Sequence, residues 1–434
     1  MIATPERTML RMTSIRERGG IDVAAVRDHF PSLGRSIGGQ QVAYLDGPGG
    51  TQVPRECIAA IAAYLETSNA NHGGAFAASV ETDALLDEVH ATAAAFVGAE
   101  SGDEIAFGPN MTTLTFAVSR ALGRELGPGD EIVVTRLDHD ANVAPWLAVA
   151  EDRGATVRWL ELRDDGAALD LDALTAVLSS RTRVVAVGLA SNALGTVTDV
   201  PRVTAAAHDV GAIVYVDAVH AGPHLPIDVD ALGADLLVCS PYKFFGPHLG
   251  MLYGRRELLE RIGAYRVRPA GDALPGKWEV GTQNHEALAG LLGTFGYLER
   301  LGSAFASGSA TDDRRGRLRA AMDAIRSYER ELSLAVLDRL GGVPGLRLFG
   351  ITDPARLDER VPTFSFTLDG HAPRAVAEHL ARRGISVWDG DFYAWELIGA
   401  LGLRDAGGLV RVGLVHYNTV DEVDRLRDAL GELE

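Results

Sequence analysis

The 434-residue chain is 47% hydrophobic and 23% charged, the balance of a globular protein long enough for a large core and a second, smaller unit. A formal charge of −18 and a pI near 5.1 exclude the basic face of a nucleic-acid binder, and no stretch reaches the roughly 18 apolar residues of a membrane span. Cys57 and Cys239 are too few for a disulfide framework and have no metal-ligand spacing, so a reducing, cytoplasmic location and no metal site are expected.

Residues 1–40 read as an irregular N-terminal arm, which begins with arginines and no apolar run and so looks like neither a secretory signal nor an anchor. A short strand from Gln41 breaks into Gly47-Pro48-Gly49-Gly50, either a plain turn or a place where the missing Cβ atoms let backbone approach a ligand. Helices are expected from Pro54 to about Glu66 and from Glu81 to Val97. From Glu104 the chain reads strand, turn, helix. The turn, with Pro109, Asn110, Thr112 and Thr113, offers hydroxyls and unpaired N–H groups that suit a phosphate, although any capped helix looks similar.

Strand runs then alternate with helical ones: Glu131 onward, Thr156 to Leu162 and Arg183 onward as strands, with helices at Val143 to Asp152, Leu171 to Leu178 and Val200 to Val210. This alternation predicts an α/β fold with a largely parallel sheet. His139, Asn192 and Asp217 each follow a predicted strand, on the side of such a sheet where ligands bind. Between Ala212 and Arg255, Asp217 closes one apolar run and Lys243 follows another by a Ser-Pro-Tyr turn. Of 41 basic residues only Lys243 and Lys277 are lysine, and lysine, unlike arginine, can give up its proton in a site.

Lys277 to Gly290 reads as a glycine turn leading to a helix through about Leu301, and Gly302 to Ala310 as a linker or lid loop. A long helix from Asp313 to Leu340 follows. After it come strands LRLFG and TFSFTL, a helix from Pro373 to Arg383, strand ISVWD, a helix from Tyr393 to Leu401, strand GLVRVGLVHY and a last helix from Val420. The expected division is therefore a large domain, 41–301, and a small C-terminal α+β domain, 302–434.

The motifs YLDGPGGTQ, LDHDAN, SNALGTV, VDAVHA, SPYKFFGP, VGTQN and VRVGLVHYNT, in this order, resemble the class V aminotransferases, in particular their cysteine-desulfurase-like branch. The resemblance covers roughly Gln41 to Leu430. It implies the fold type I of pyridoxal 5′-phosphate (PLP) enzymes, with a mostly parallel seven-stranded sheet, and a homodimer with shared active sites acting on a small amino-acid substrate. Under it Lys243 is the amine that condenses with the cofactor aldehyde, Asp217 pairs with the pyridine nitrogen, His139 stacks on the ring, and Asn192 and His220 lie by its phenolic oxygen. Asn110, Met111, Thr112 and Ser240 surround the phosphate. Tyr242 stands where relatives often have a histidine, and Thr282 matches a residue that reaches a neighbouring subunit's phosphate. Arg411 is the implied carboxylate clamp, with Gly49 and Tyr393 at the substrate.

The sequence departs from the desulfurases in GISVWDGDFYAWEL, where Tyr393 stands at or near the place of the persulfide-forming cysteine. A phenol carries no persulfide, and Cys57 and Cys239 lie in predicted helix and strand, where an apolar setting keeps a thiol inert. The expected chemistry is removal of the Cα proton of an L-amino acid, with β-elimination of a cysteine-type side chain ahead of transamination and epimerisation. The remaining alternatives are a cysteine desulfurase and a non-catalytic PLP-binding homologue. Trp388, Phe392, Tyr393 and Trp395 suggest either an aromatic-lined pocket or packing between domains.

Overall fold

The computed structural model describes residues 16–17, 20–306 and 313–433. Apolar runs in the first two thirds of the chain become strands buried on both faces, as a parallel sheet covered by helices requires. The longer elements are numbered here in chain order. Strands β1 (Ile105–Gly108), β2 (Glu131–Thr135), β3 (Thr156–Leu160), β4 (Thr182–Gly188), β5 (Ile213–Asp217), β6 (Leu236–Cys239) and β7 (Gly250–Gly254) form a seven-stranded sheet in the order β1-β7-β6-β5-β4-β2-β3. Strands β2 to β6 run parallel; β7 is antiparallel to both its neighbours.

Alternate side chains of each strand enter opposite layers. Val185, Val214, Val216 and Leu237 pack toward α2 (Ala77–Val97), α6 (His285–Ser303) and the first half of α7 (Arg314–Leu340). Val184, Tyr215, Leu236 and Val238 pack toward α3 (Met111–Gly123) and α4 (Ala144–Arg153). Helix α1 (Arg55–Thr67) lies against α6, and α5 (Val200–Asp209) joins β4 to β5.

Helix α7 belongs to two cores. Leu318, Met322 and Ile325 join the large core, whereas Leu332, Val336 and Leu340 pack on Phe364, Phe366, Val410 and Val412 of a second sheet. That sheet is antiparallel, in the order β8 (Leu346–Phe349), β9 (Thr363–Leu368), β11 (Leu409–Gly413), β10 (Trp388–Gly390), with α8 (Pro373–Arg382) and α9 (Val420–Gly431) on it. Where α6 meets α7, a Cβ on Gly302 would collide with the Arg317 carbonyl, so glycine is what lets the two backbones touch.

An early segment fastens the two sheets together near the future site. Ala43–Tyr44 pairs in parallel with Ile385–Ser386, and Gly413 N–H donates to Leu45 O at 2.8 Å. The Gly47–Gly50 turn therefore hangs directly beside β11.

Several expected elements differ in extent. Helix α6 starts inside the expected glycine turn, because the Asn284 side chain accepts from Ala287 N–H at 2.9 Å and caps it. The expected strand ISVWD is split: Ile385–Ser386 pairs with the early segment and Trp388–Gly390 with β11. The helix expected from Tyr393 begins at Trp395, since Phe392 and Tyr393 both take a left-handed backbone with φ of 57°. Gly302 and Ser303 of the expected linker end α6, and its residues 307–310 lie outside the described residues. Among the described residues no helix is long and apolar enough to cross a membrane.

Candidate active site

The carboxyl ends of β2, β4, β5 and β6 open on one crevice, the position at which an open α/β sheet binds ligands. Asp217 is the last residue of β5, and its carboxylate accepts from Val219 N–H at 2.9 Å. Lys243 lies in the one-turn helix Pro241–Lys243 after β6, and its Nζ donates to the Pro48 carbonyl of the glycine turn. His139 follows β2; its Nδ1 accepts from Ala141 N–H at 3.0 Å, which puts the proton of the neutral ring on Nε2.

Arg411 reaches the crevice from β11 of the second sheet. One of its guanidinium nitrogens donates to Asn192 O at 2.8 Å, and the Phe392 ring lies 4.3 Å from the guanidinium carbon. The Asn192 amide in turn donates to Phe392 O at 2.9 Å. These groups enclose a chamber of about 820 Å3.

Most of the residues singled out in the sequence meet there. Lys243, Asp217, His139, Asn192, His220 and Arg411 line the chamber. So do Met111 and Thr112 at the start of α3, Gly49, Tyr242 and Tyr393. Three do not. Asn110 spends its carboxamide capping α3 at Thr113 N–H, Ser240 is buried behind the wall, and Thr282 is exposed on the loop before α6. His220 donates to or accepts from Thr363 Oγ1 at 2.9 Å, and the Tyr242 ring stacks on His248 at 4.9 Å.

Of the four loop aromatics, Trp388, Phe392 and Tyr393 are on the chamber wall, whereas Trp395 lies apart under the Arg404 guanidinium. The Trp388 indole lies where a Cβ on Gly49 would be, so only glycine fits at that position. Tyr393, though 71% exposed, stacks on His139 with ring centroids 5.5 Å apart.

Several carboxylates escaped the sequence reading, Asp140, Asp389 and Asp391 on the chamber wall among them, and two bear on the groups above. Asp138 forms part of the chamber floor, and Asp46 lies close enough to Arg411 and Lys243 to feel both charges. Both stand inside motifs quoted above, so the signal was present in LDHDAN and YLDGPGG. A single sequence says nothing of which carboxylates point inward.

Burial dominates the electrostatics. It pulls the Lys243 amine down to about 7, helped by the Arg411 charge and opposed by Asp217 and Asp46. It pushes the Asp217 carboxyl up to about 6, against the pull of the Val219 N–H and the Lys243 charge. His139 falls to about 4, and Arg411 to about 9, through loss of solvent. The lysine is thus available as a neutral base near neutrality, beside a carboxyl of similar proton affinity.

The site also has unsatisfied groups that call for a ligand. Asn192 Oδ1 and Arg411 Nε, in two residues of the chamber wall, are buried without a hydrogen-bond partner. The first N–H groups of α3 have no acceptor within the helix, which suits a dianion. An aromatic aldehyde with a phosphate arm fits this set: an amine, a helix N-terminus and the carboxyl at the end of β5 all face one chamber.

Fold and site define a PLP-dependent enzyme of the lyase and aminotransferase kind. The chain belongs to the class V aminotransferase family, whose model matches residues 43–312 and 318–426. It is 33% identical over 431 residues to a probable cysteine desulfurase of Streptomyces coelicolor, covering 95% of this chain and 97% of the relative. It is also 33% identical over 417 residues to a probable cysteine desulfurase of Mycolicibacterium paratuberculosis, covering 93% of this chain and 57% of that longer protein. The crystal structure of the Escherichia coli cysteine desulfurase CsdA, in its S-sulfonic acid form, superposes with a TM-score of 0.80 at 28% identity, over 95% of this chain and 98% of that one.

The lowered amine predicts how the apoprotein takes up PLP. Were Lys243 the residue that holds PLP, its amine would be competent only when neutral, and the uptake rate would rise with pH and level off above about 7. An ordinary lysine would keep gaining rate to roughly pH 10. Stopped-flow absorbance of apoprotein mixed with PLP measures this profile.

Proposed function

We propose that this enzyme removes the Cα proton of an L-amino acid and eliminates a sulfur group from Cβ, a C–S lyase activity that passes no sulfur to a protein thiol. The observation that supports it most is the composition of the chamber wall. Lys243, Asp217 and Arg411 are on it, and no cysteine is. Cys57 and Cys239 are both buried, and burial pushes each thiol upward, away from the reactive thiolate.

PLP, when bound, supplies the aldehyde and the electron-withdrawing ring that stabilises charge at Cα. The Arg411 fork takes the substrate carboxylate, and its contacts with Phe392 and the Asn192 carbonyl fix the plane of the fork. The Lys243 amine, neutral near pH 7, accepts the Cα proton. Asp217 holds a proton at the pyridine nitrogen. His139 covers the ring face. The start of α3 holds the phosphate, and His220 stays neutral beside the chamber because burial lowers it well below the usual histidine range. Departure of a thiolate from Cβ completes the elimination, and the same proton on Lys243 can be returned to the departing group.

The protein acts as a homodimer in this reading. Exposed Phe76, Val80 and Val280 lie on segments near the loop that carries Thr282, and pairing would cover them and bring Thr282 to the partner's phosphate site. Sedimentation equilibrium should give twice the 46.1 kDa chain mass; a monomer that is fully active removes this part of the proposal.

A substrate panel separates the possible fates. S-substituted cysteines should give pyruvate, ammonia and free thiol without any added 2-oxo acid, whereas a requirement for such an acceptor would favour transamination. Mass spectrometry after turnover of cysteine should find Cys57 and Cys239 unmodified; alanine together with a persulfide on either would make the protein a desulfurase.

Replacing Arg411 by Ala removes the carboxylate clamp and leaves the amine in place. The expected result is a KM raised by about tenfold to a hundredfold, from the loss of a charge-assisted pair worth roughly 1.5–3 kcal/mol, with a smaller change in kcat. An unchanged KM would exclude Arg411 from substrate binding.

A further inference from the structure

Strand register puts two carboxyls side by side under the chamber. Gly188 ends β4 and pairs with Asp217 at the end of β5. Paired residues on neighbouring parallel strands project to the same face about 4.8 Å apart. Gly188 has no side chain, and a Cβ there would come within 2.8 Å of Asp138 Oδ1. The Asp138 carboxyl, arriving from the turn after β2, therefore fills the place of the missing Gly188 side chain, next to Asp217.

This carboxyl is held on every side. Oδ1 accepts from the Thr135 hydroxyl at 2.9 Å and from Gly188 N–H at 3.0 Å, and Oδ2 accepts from the Asn142 amide at 2.8 Å. Asp138 is 5% exposed and precedes His139 directly. The bonds tie both ends of the turn that presents His139 to the floor of β4. No basic side chain pairs with Asp138 among the described residues.

We infer that Asp138 is a positioning residue of this site, which fixes the turn bearing His139 and sets, through its charge, the proton affinity of Asp217 and of whatever Asp217 holds. Burial, and after it the neighbouring charge of Asp217, raises the Asp138 carboxyl to about 7, so its charge changes within the working range. The groups facing the pair are Lys243 after β6 and the uncharged Tyr215, Cys239, Tyr242, His139 and His220. The inference rests on the cofactor cleft and is independent of which fate the substrate meets.

The sign follows from charge. Above about pH 7 Asp138 is ionised and favours protons bound nearby, so removing its charge should make the bound cofactor lose its proton at lower pH. Asp138→Asn keeps the size and the acceptor that meets Thr135 and Gly188. The experiment is a pH titration of the visible absorption of the PLP-loaded protein, beside the Kd for PLP measured by fluorescence on the apoprotein. The expected result is a midpoint lowered by about 1 unit, with a weaker Kd. A weaker Kd with an unmoved midpoint would mean that Asp138 only braces the turn, and would overturn the inference. Should Asp138→Asn fail to fold, Thr135→Val removes one bond to the carboxyl while keeping its shape; a midpoint identical to that of the parent protein would then overturn it equally.

Discussion

The Lys243 amine has lost most of its water, and the charge that disfavours its protonation most is the Arg411 guanidinium. Two cations near one another in a poorly solvated chamber repel, and the cheaper response is for the lysine to give up its proton, since a guanidinium holds its own far more tightly. A neutral amine is what both cofactor capture and proton removal require. Asp217 and Asp46 work the other way, so the amine's affinity is a balance among four groups from four segments of the chain.

That balance depends on how the two sheets are joined. Lys243 and Asp217 come from the large sheet, Arg411 from the small one, and Asp46 from the early segment laid against both. Helix α7 runs through both cores, and Leu45 and Gly413 are joined backbone to backbone, so the guanidinium is positioned by packing remote from the chamber. Lys243 donates to the Pro48 carbonyl of this turn, and a Cβ on the next residue, Gly49, would strike Trp388.

Legibility in the sequence followed the range of the interaction. Strand ends and their polar residues could be read because an apolar run followed by a lone Asp or Lys is a local pattern, and His139, Asn192, Asp217 and Lys243 do meet at one end of the sheet. The lateral relation between Asp138 and Asp217 could not be read, because it depends on strand register and on Gly188 lacking a side chain. The split of ISVWD was equally hidden: Ile385–Ser386 leaves its sheet for a partner more than 300 residues earlier in the chain. Asn110 and the start of α6 show a third limit, since the same asparagine chemistry serves a helix cap or a ligand and only the coordinates say which bond is made.

The loop after β10 shows how a short segment can shape a site through its backbone as well as its side chains. Phe392 and Tyr393 both hold φ of 57°, a conformation that costs a non-glycine residue roughly 1–2 kcal/mol. Such strain persists only where the surroundings insist on it. Here Asn192 binds the Phe392 carbonyl, Asp140 N–H donates to the Tyr393 carbonyl at 2.7 Å, and Asp391 caps Tyr393 N–H at 2.9 Å. Phe392 covers Arg411 and Tyr393 covers His139. A loop so held has little freedom to swing away from the chamber. It is fastened to the groups expected to hold cofactor and substrate, and its rings occupy the mouth of the chamber. Fastened in this way, the loop orients Arg411 and Asn192 through its own ring and backbone carbonyl.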